Sequence, residues 1–197
     1  GELAQALAGR AEDAQDHNLP AMVWYGITPL AEFDPEALAV VARATKWKNL
    51  RIWIARSLTD QAKERPEGLQ ALLSLMMEQP SKSDSLLLGM EEAFRGIKKV
   101  EAPENWSHLR SKLGKRPAVL RLSALFGDGS VLDDFADLAG DARADPQVRR
   151  GALQALIDAE AAGLEKLCMD LIEDKELNLL AARGLAKFEG PEIGQRL

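Results

Sequence analysis

The chain has 197 residues, of which 46% are hydrophobic and 28% charged, and its formal net charge is −6. An acidic balance argues against general nucleic-acid binding, which needs a basic face to neutralise phosphates. A single cysteine, Cys168, excludes an internal disulfide and any metal or haem site built from several cysteines of this chain. Alanine and leucine dominate and β-branched runs are nearly absent, which predicts an all-α fold.

The N-terminal residues predict two helices. The apolar stripe of the first is formed by Leu3, Ala6, Leu7 and Ala11. The second opens at Asn18, which can cap a helix, and Pro29 bends or ends it. Because this second helix is apolar nearly all round, we expect it to be buried between neighbours.

The middle of the chain predicts four further helices. Asp34 caps the first of them and Pro35 follows, Trp47 precedes the next, and Pro66 starts a third. A short polar turn over 81–85 leads into the fourth. Residues expected to face inward are Leu38, Val41, Ala42, Leu50, Trp53, Ile54, Leu58, Leu69, Leu72, Leu73, Met76, Leu86, Leu87, Met90, Ala93 and Phe94.

The piece from Gly96 to Arg116 predicts an irregular connection with one short helix, Trp106–Leu113, that stops at Gly114. Paired helices resume after Pro117. Their expected inward residues are Val119, Leu122, Leu125, Val131, Leu132, Phe135 and Leu138.

The C-terminal third contains a repeat. Asp145 caps a helix and Pro146 begins it, and the apolar stripe that follows is formed by Val148, Ala152, Ala155 and Leu156. The pattern recurs 29 positions later from Asp174 to Phe188, with Ala181, Gly184 and Leu185 at the same offsets. A further helix is expected to start at Gly190-Pro191.

A capped amphipathic helix that recurs at such a period is typical of a helical solenoid. We therefore predict a single curved stack of about a dozen helices in antiparallel pairs, with a compact bundle as the competing geometry. No apolar run approaches the ~18 residues of a membrane span, so direct membrane insertion is not expected.

The segment from Asp145 to Leu156 resembles the second helix of a HEAT repeat. The resemblance implies a HEAT/ARM-like right-handed α–α superhelix. It also implies that Arg149 joins a ladder with the repeat's aspartate, Asp145. Asn178 replaces the arginine in the second copy, so the ladder is expected to stop after one rung.

A second resemblance covers most of the chain. The segments 16–30, 86–93 and 103–106 look like the helical region of large bacterial PVC-type proteins described as putative membrane-bound dehydrogenases. Those proteins join a sugar-dehydrogenase-like propeller, a HEAT-like region and a C-terminal c-type haem domain. The resemblance implies that residues 1–197 are one domain of a larger exported, periplasmic chain, irregular over 1–113 and more regular over 114–197. The domain would space the propeller from the haem domain.

The acidic end of the first helix offers a metal site as a minor alternative. Glu12, Asp13, Asp16 and His17 lie within six residues. Structural metal sites use ligands of defined spacing with a supporting second shell, which one helix end lacks. We favour a capped, solvated helix end and expect no metal.

Aromatic and basic side chains mark the candidate interaction surface, which we place at Trp24, Tyr25, Arg51 and Arg56. Tryptophans occur only in the first half, at 24, 47, 53 and 106. A groove lined by them would hold a sugar or a peptide, but filling between helices is the favoured role. Trp24 and Tyr25 are adjacent and point different ways, so at least one is expected at the surface. Basic clusters at 46–56 and 112–121 are expected to be solvated helix faces.

No catalytic set emerges from the sequence. No serine lies in a nucleophile-elbow context, and neither does Cys168. The haem motif C-x-x-C-H is absent. We expect Cys168 to be a buried structural thiol. A carboxylate hydrolase needs no local motif and stays a distant alternative. We expect a scaffold without cofactors that holds flanking domains or binds a protein partner, with a ligand-binding module as the runner-up.

Overall fold

A computed structural model describes residues 2–97 and 99–188, and every regular element in these ranges is helical. The first nine α-helices are α1 (Glu2–Ala8), α2 (Leu19–Ile27), α3 (Leu30–Phe33), α4 (Pro35–Ala44), α5 (Lys48–Asp60), α6 (Pro66–Glu78), α7 (Ser83–Ala93), α8 (Trp106–Leu113) and α9 (Pro117–Leu125). They are followed by α10 (Val131–Gly140), α11 (Pro146–Asp158), α12 (Leu164–Leu171) and α13 (Asn178–Leu185). Short 3₁₀ helices cover Ala11–Gln15 and Pro80–Lys82. The absence of strands from these ranges confirms the predicted all-α class.

The helices group into two compact units, Gly1–Phe126 with α1 to α9 and Gly127–Leu197 with α10 to α13. Within the described ranges, no helix has both the length and the apolar character needed to cross a bilayer. The further helix predicted at Gly190-Pro191 lies outside the described residues.

Each helix of the first unit packs mainly on helices one or two steps away in the chain. Thus α4 contacts α5 and α6, α5 contacts α6 and α7, and α7 contacts α9. In this order α2 and α3 act as one bent helix, because Thr28 and Pro29 between them keep right-handed helical backbone angles. The interruption between Ile27 and Leu30 agrees with the prediction that Pro29 bends or ends the helix, since proline removes a hydrogen bond from a helix interior.

Caps and prolines set most helix bounds as predicted. The Asp34 side chain accepts a hydrogen bond from the Ala37 backbone N–H at 3.0 Å, and α4 begins at Pro35. The short helix α8 has the predicted bounds and ends at Gly114, whose φ of 72° suits a residue without Cβ.

The core of the first unit consists of the predicted inward faces of α4 to α7. Its deepest side chains, with essentially no exposed surface, include Leu38, Val41, Leu50, Ile54, Leu58, Leu72, Met76, Leu86, Leu87 and Met90. The α5–α7 contact is especially close, because a Cβ added to Gly89 would lie 2.4 Å from the Ile52 carbonyl oxygen. Gly89 therefore lets the two backbones approach each other.

In the second unit, α10 packs on α11 and α12 packs on α13, while α11 also contacts α13. The Asp145 carboxylate accepts hydrogen bonds from the backbone N–H groups of Gln147 at 2.9 Å and Val148 at 3.2 Å, which confirms it as the cap of α11. Ala152 and Leu156 are each 2% exposed, as the stripe predicts, whereas Val148 is only half-buried.

The expected pair of Arg149 with Asp145 is wrong. Arg149 is 5% exposed, and its Nη2 donates to Oδ2 of Asp174 at 2.6 Å while its Nε donates to the Ala139 carbonyl at 3.1 Å. Asp174 is the aspartate of the next copy of the repeat. Asp145 instead accepts from the backbone N–H groups of Gln147 and Val148 in its own helix.

Three further expectations about elements need correction. Leu3 and Ala6 are exposed and α1 instead buries Ala4 and Ala8. The polar turn over 81–85 is replaced by a 3₁₀ helix and the start of α7 at Ser83. The last helix begins at Asn178 rather than beside Asp174, because the residues between form a turn that Asp174 caps through the N–H groups of Glu176 and Leu177.

Candidate interaction surface

The bent helix formed by α2 and α3 has one buried and one exposed face. Its buried side chains are Pro20, Val23, Ile27 and Ala31. The opposite face exposes Met22 at 67%, Tyr25 at 74% and Phe33 at 72%. The expectation of a helix buried all round is therefore wrong. We call Met22, Tyr25, Pro29 and Phe33 the apolar stripe of this helix; all four are exposed.

The predicted surface residues take different roles. Tyr25 is exposed on the apolar stripe, whereas Trp24 turns inward and packs against Trp53 with ring centroids 6.3 Å apart. Arg51 donates from Nε to the Ser85 hydroxyl at 2.9 Å and from Nη1 to the Thr45 carbonyl at 2.7 Å. It therefore ties helices together rather than offering a free cation. Arg56 is exposed, with Asp60 at 3.8 Å.

The other tryptophans are core residues. Trp47 is 1% exposed and its indole N–H donates to the Arg10 carbonyl at 2.6 Å. Trp106 is 4% exposed and its indole N–H donates to the Ser123 hydroxyl at 2.9 Å. Both buried N–H groups are thus satisfied, and both rings fill space between helices.

Met22 and Phe33 were missed by the sequence reasoning. Their spacing with Tyr25 and Pro29 (22, 25, 29 and 33) is the helical spacing of a single face. The sequence therefore contains this spacing, but the opposite face of the helix is equally apolar, so the spacing alone does not show which face is exposed. Only the packing of α2 on α1 and α5 decides which face is covered.

The surplus negative charge of the molecule lies in the N-terminal part of the chain, which includes these two helices. Residues 1–36 contain seven carboxylate residues and one basic residue, Arg10, whereas the rest of the chain has 24 of each. The whole net charge of −6 therefore comes from this N-terminal part. At one end of the apolar stripe, Glu32, Asp34 and Glu36 are exposed and form no ion pair with another described residue.

The predicted acidic helix end is occupied by local contacts. Arg10 Nε lies 3.1 Å from Asp13 and 3.3 Å from Glu12. Asp16 accepts from the backbone N–H groups of Asn18 at 2.9 Å and Leu19 at 2.7 Å, and these bonds lower the pKa of Asp16. Among the described residues, no group of three or more potential metal ligands is found.

A groove of about 1030 Å³ lies between the α5–α6 turn and the connection from α7 to α8. It is lined by apolar residues such as Leu69, Phe94 and Val100, and no tryptophan is among its lining residues. The hydroxyl of Thr59 faces no hydrogen-bond partner within the described part of the chain. The charged residues that line the groove are of both signs, and one of them, Glu67, is already paired with Arg65 at 2.6 Å. The groove shows no charge that selects a particular ligand.

Basic residues of the second predicted cluster pair with carboxylates of α7. Arg121 contacts Glu91 through two nitrogens, at 2.6 and 3.0 Å, and Arg116 lies 2.7 Å from Asp84. These bonds connect α7 to α9 and to Arg116, the residue before α9. They do not form a free basic patch of the kind that binds phosphates.

Cys168 is fully buried, and burial raises the pKa of its thiol to about 11. A Cβ added to Gly184 would lie 2.6 Å from its sulfur, so the thiol fills the space that glycine leaves between α12 and α13. The expected structural role is confirmed. A thiol of this kind is a poor nucleophile because little thiolate forms at neutral pH.

Comparison with known proteins gives no match to this chain, whether against family models, curated proteins or solved structures. The HEAT-like and PVC-type resemblances therefore stay predictions that depend on the sequence segments that carry them.

Proposed function

We propose that this chain is a HEAT-like helical-repeat scaffold, a right-handed α–α superhelix without catalytic chemistry of its own. The observation that supports it best is the packing of helices on neighbours one and two steps away in each unit. The same order arises when helix pairs stack in two layers, because each helix then meets its own partner and the equivalent helix of the next pair.

The Arg149–Asp174 bond favours the same proposal. It connects the arginine of one capped repeat to the capping aspartate of the following repeat. A side-chain bond of this kind fixes the stacking of consecutive repeats. Asn178 occupies the arginine position in the second copy, so these two copies form only one bond of this ladder.

In the proposed role the scaffold holds the domains that flank it at a fixed separation or presents a face to a protein partner. The PVC-type resemblance suggests a sugar-dehydrogenase-like propeller before it and a c-type haem domain after it, in an exported protein. The scaffold itself would need no cofactor, since the flanking domains would supply the redox chemistry.

The gene on both sides of the region encoding residues 1–197 gives a first test. A propeller upstream and a C-x-x-C-H motif downstream are expected. Flanking regions that encode neither domain would contradict the spacer role.

A replacement experiment in the full-length protein tests the absence of catalysis. Residues 1–197 are exchanged for a flexible glycine-serine linker of equal length. Substrate oxidation by the propeller with an external dye should persist, while electron transfer to the haem should fall because the separation is no longer fixed. Loss of the dye-coupled reaction itself would show that this region takes part in the chemistry.

A further inference from the structure

We infer that the apolar stripe of the α2–α3 helix is a docking face for a basic amphipathic helix of a partner protein. The inference rests on the proposed scaffold role and names the chemistry of the partner that the scaffold binds. Its basis is the coincidence of three large exposed apolar side chains with three exposed carboxylates at the α3 end, Glu32, Asp34 and Glu36.

The exposed side chains are too concentrated to be scattered surface residues. Met22, Tyr25 and Phe33 are each about two-thirds exposed or more, and they lie on one face of a single bent helix. Single exposed apolar residues are normal, whereas an aligned set is typical of a helix that meets another helix. From Leu19 to Phe33 the bent helix has 15 residues, a length of about 22 Å at 1.5 Å per residue.

The charge around the stripe selects the occupant. Glu32, Asp34 and Glu36 lie at its α3 end, and Asp16 precedes its first turn. Arg65 reaches the α3 end, where it donates to the Glu32 carbonyl, but it is already paired with Glu67. Lysine and arginine side chains flanking an apolar helix face would therefore meet Glu32 and Glu36, which form no ion pair with another described residue.

The same charge argues against two other occupants. A second copy of the chain would bring two such acidic faces together, and like charges oppose that contact. A membrane surface carries anionic lipids and would repel the carboxylates for the same reason. A basic helix has both the apolar face and the charge sign that the stripe requires.

Binding of a designed peptide tests the inference. The probe is a fluorescein-labelled peptide of lysine and leucine, about 14 residues and thus about 21 Å long as a helix, with leucines on one face. A matched peptide has glutamate in place of lysine. The full 197-residue chain is titrated into each peptide and fluorescence anisotropy is measured at low salt and at physiological salt.

The basic peptide should bind and the acidic peptide should bind at least tenfold more weakly. Tyr25→Ala and Phe33→Ser should each weaken binding of the basic peptide about tenfold, because buried aromatic anchors contribute most at interfaces. Glu32→Gln with Glu36→Gln should reduce the dependence of binding on salt. Leu179→Ser, which changes an equally exposed leucine of α13, is the control and should leave binding unchanged.

Equal binding of the two peptides, or binding that Tyr25→Ala and Phe33→Ser leave unchanged, would overturn the inference. A dimer in solution that Tyr25→Ala dissociates would assign the stripe to a second copy and would also overturn it. None of these results bears on the linker replacement described above, so a failure here is distinguishable from a failure of the scaffold proposal.

Discussion

Arg149 is the side chain whose surroundings say most about how the second unit holds together. It is a buried cation with a carbonyl partner on one side and a carboxylate partner on the other. Removing the guanidinium would leave the Ala139 carbonyl and the Asp174 carboxylate without that donor. Loss of a hydrogen bond to a charged group costs about 1.5–3 kcal/mol.

We therefore expect Arg149→Ala to destabilise the second unit by about 2 kcal/mol. The rate at which Cys168 reacts with a thiol reagent measures this loss of stability, because Cys168 is the only cysteine and is fully buried in that unit. Its labelling by a thiol reagent under native conditions should become up to about 30-fold faster. Arg150→Ala is the control, because it removes an exposed arginine with one bond to the Glu176 carbonyl. In this variant the labelling rate of Cys168 should change little. A wild-type rate in Arg149→Ala would contradict the structural role of the buried pair.

The same pair predicts how stability depends on pH. The hydrogen bond from Arg149 is the largest cause that lowers the pKa of Asp174. A lowered native pKa contributes stability above the unfolded value of about 3.9, and this contribution is lost as pH falls through the lower native value. Asparagine can still cap, so Asp174→Asn removes mainly the charge.

Urea unfolding followed by far-ultraviolet circular dichroism between pH 5 and pH 2 measures this effect. The stability difference between wild type and Asp174→Asn should be largest near pH 5 and should shrink steadily below about pH 4. A difference that stays constant over the range would show that the carboxylate charge contributes nothing.

Between elements, the close approach of α5 and α7 depends on Gly89. A Cβ there would meet the Ile52 carbonyl oxygen at 2.4 Å and the Ala55 Cβ at 2.7 Å, so the helices must move apart to accept alanine. We expect Gly89→Ala to destabilise the first unit by about 1–3 kcal/mol, the usual range for overpacking.

Tryptophan fluorescence during urea unfolding measures this change, because all four tryptophans belong to the first unit. Gly26→Ala is the matched control. Gly26 is an exposed glycine within α2 with no atom within 4 Å of an added Cβ, and alanine there should stabilise the helix by up to about 1 kcal/mol. If Gly89→Ala were as stable as Gly26→Ala, the close contact between α5 and α7 would be wrong.

Local chemistry made many element bounds predictable from sequence. Asp34 and Asp145 cap their helices, and Gly114 ends α8 where expected. These signals act within a few residues, so they do not depend on the rest of the fold. The start of α13 was placed too early because Asp174 caps a turn rather than the helix.

Predicting which face of a helix is covered was harder. In α2, apolar residues occur on all sides, and the sequence alone does not show that Val23 is buried while Met22 is exposed. Tyr25 was recognised as a surface candidate because it adjoins Trp24. The contacts of Arg51 were not predictable from its own helix, since its partners are the Ser85 hydroxyl, 34 positions away, and the Thr45 carbonyl, which lies before the start of α5.

At the scale of the whole molecule, the uneven distribution of charge distinguishes the N-terminal helices from the rest. Residues 37–197 are balanced in formal charge, whereas residues 1–36 contribute the full −6. A uniform acidic surface would mainly favour solubility. The part of this charge at Glu32, Asp34 and Glu36, beside the exposed apolar stripe, is the basis for the basic partner helix proposed above.

The central claim is that the chain is built from stacked helix pairs. Methyl NMR spectroscopy of the protein in solution measures it most directly, within each unit. We predict nuclear Overhauser contacts between methyl groups of helices two steps apart, α5 with α7 in the first unit and α11 with α13 in the second, beside those of sequence neighbours such as α10 and α11. Absence of the α5–α7 and α11–α13 contacts would contradict the account.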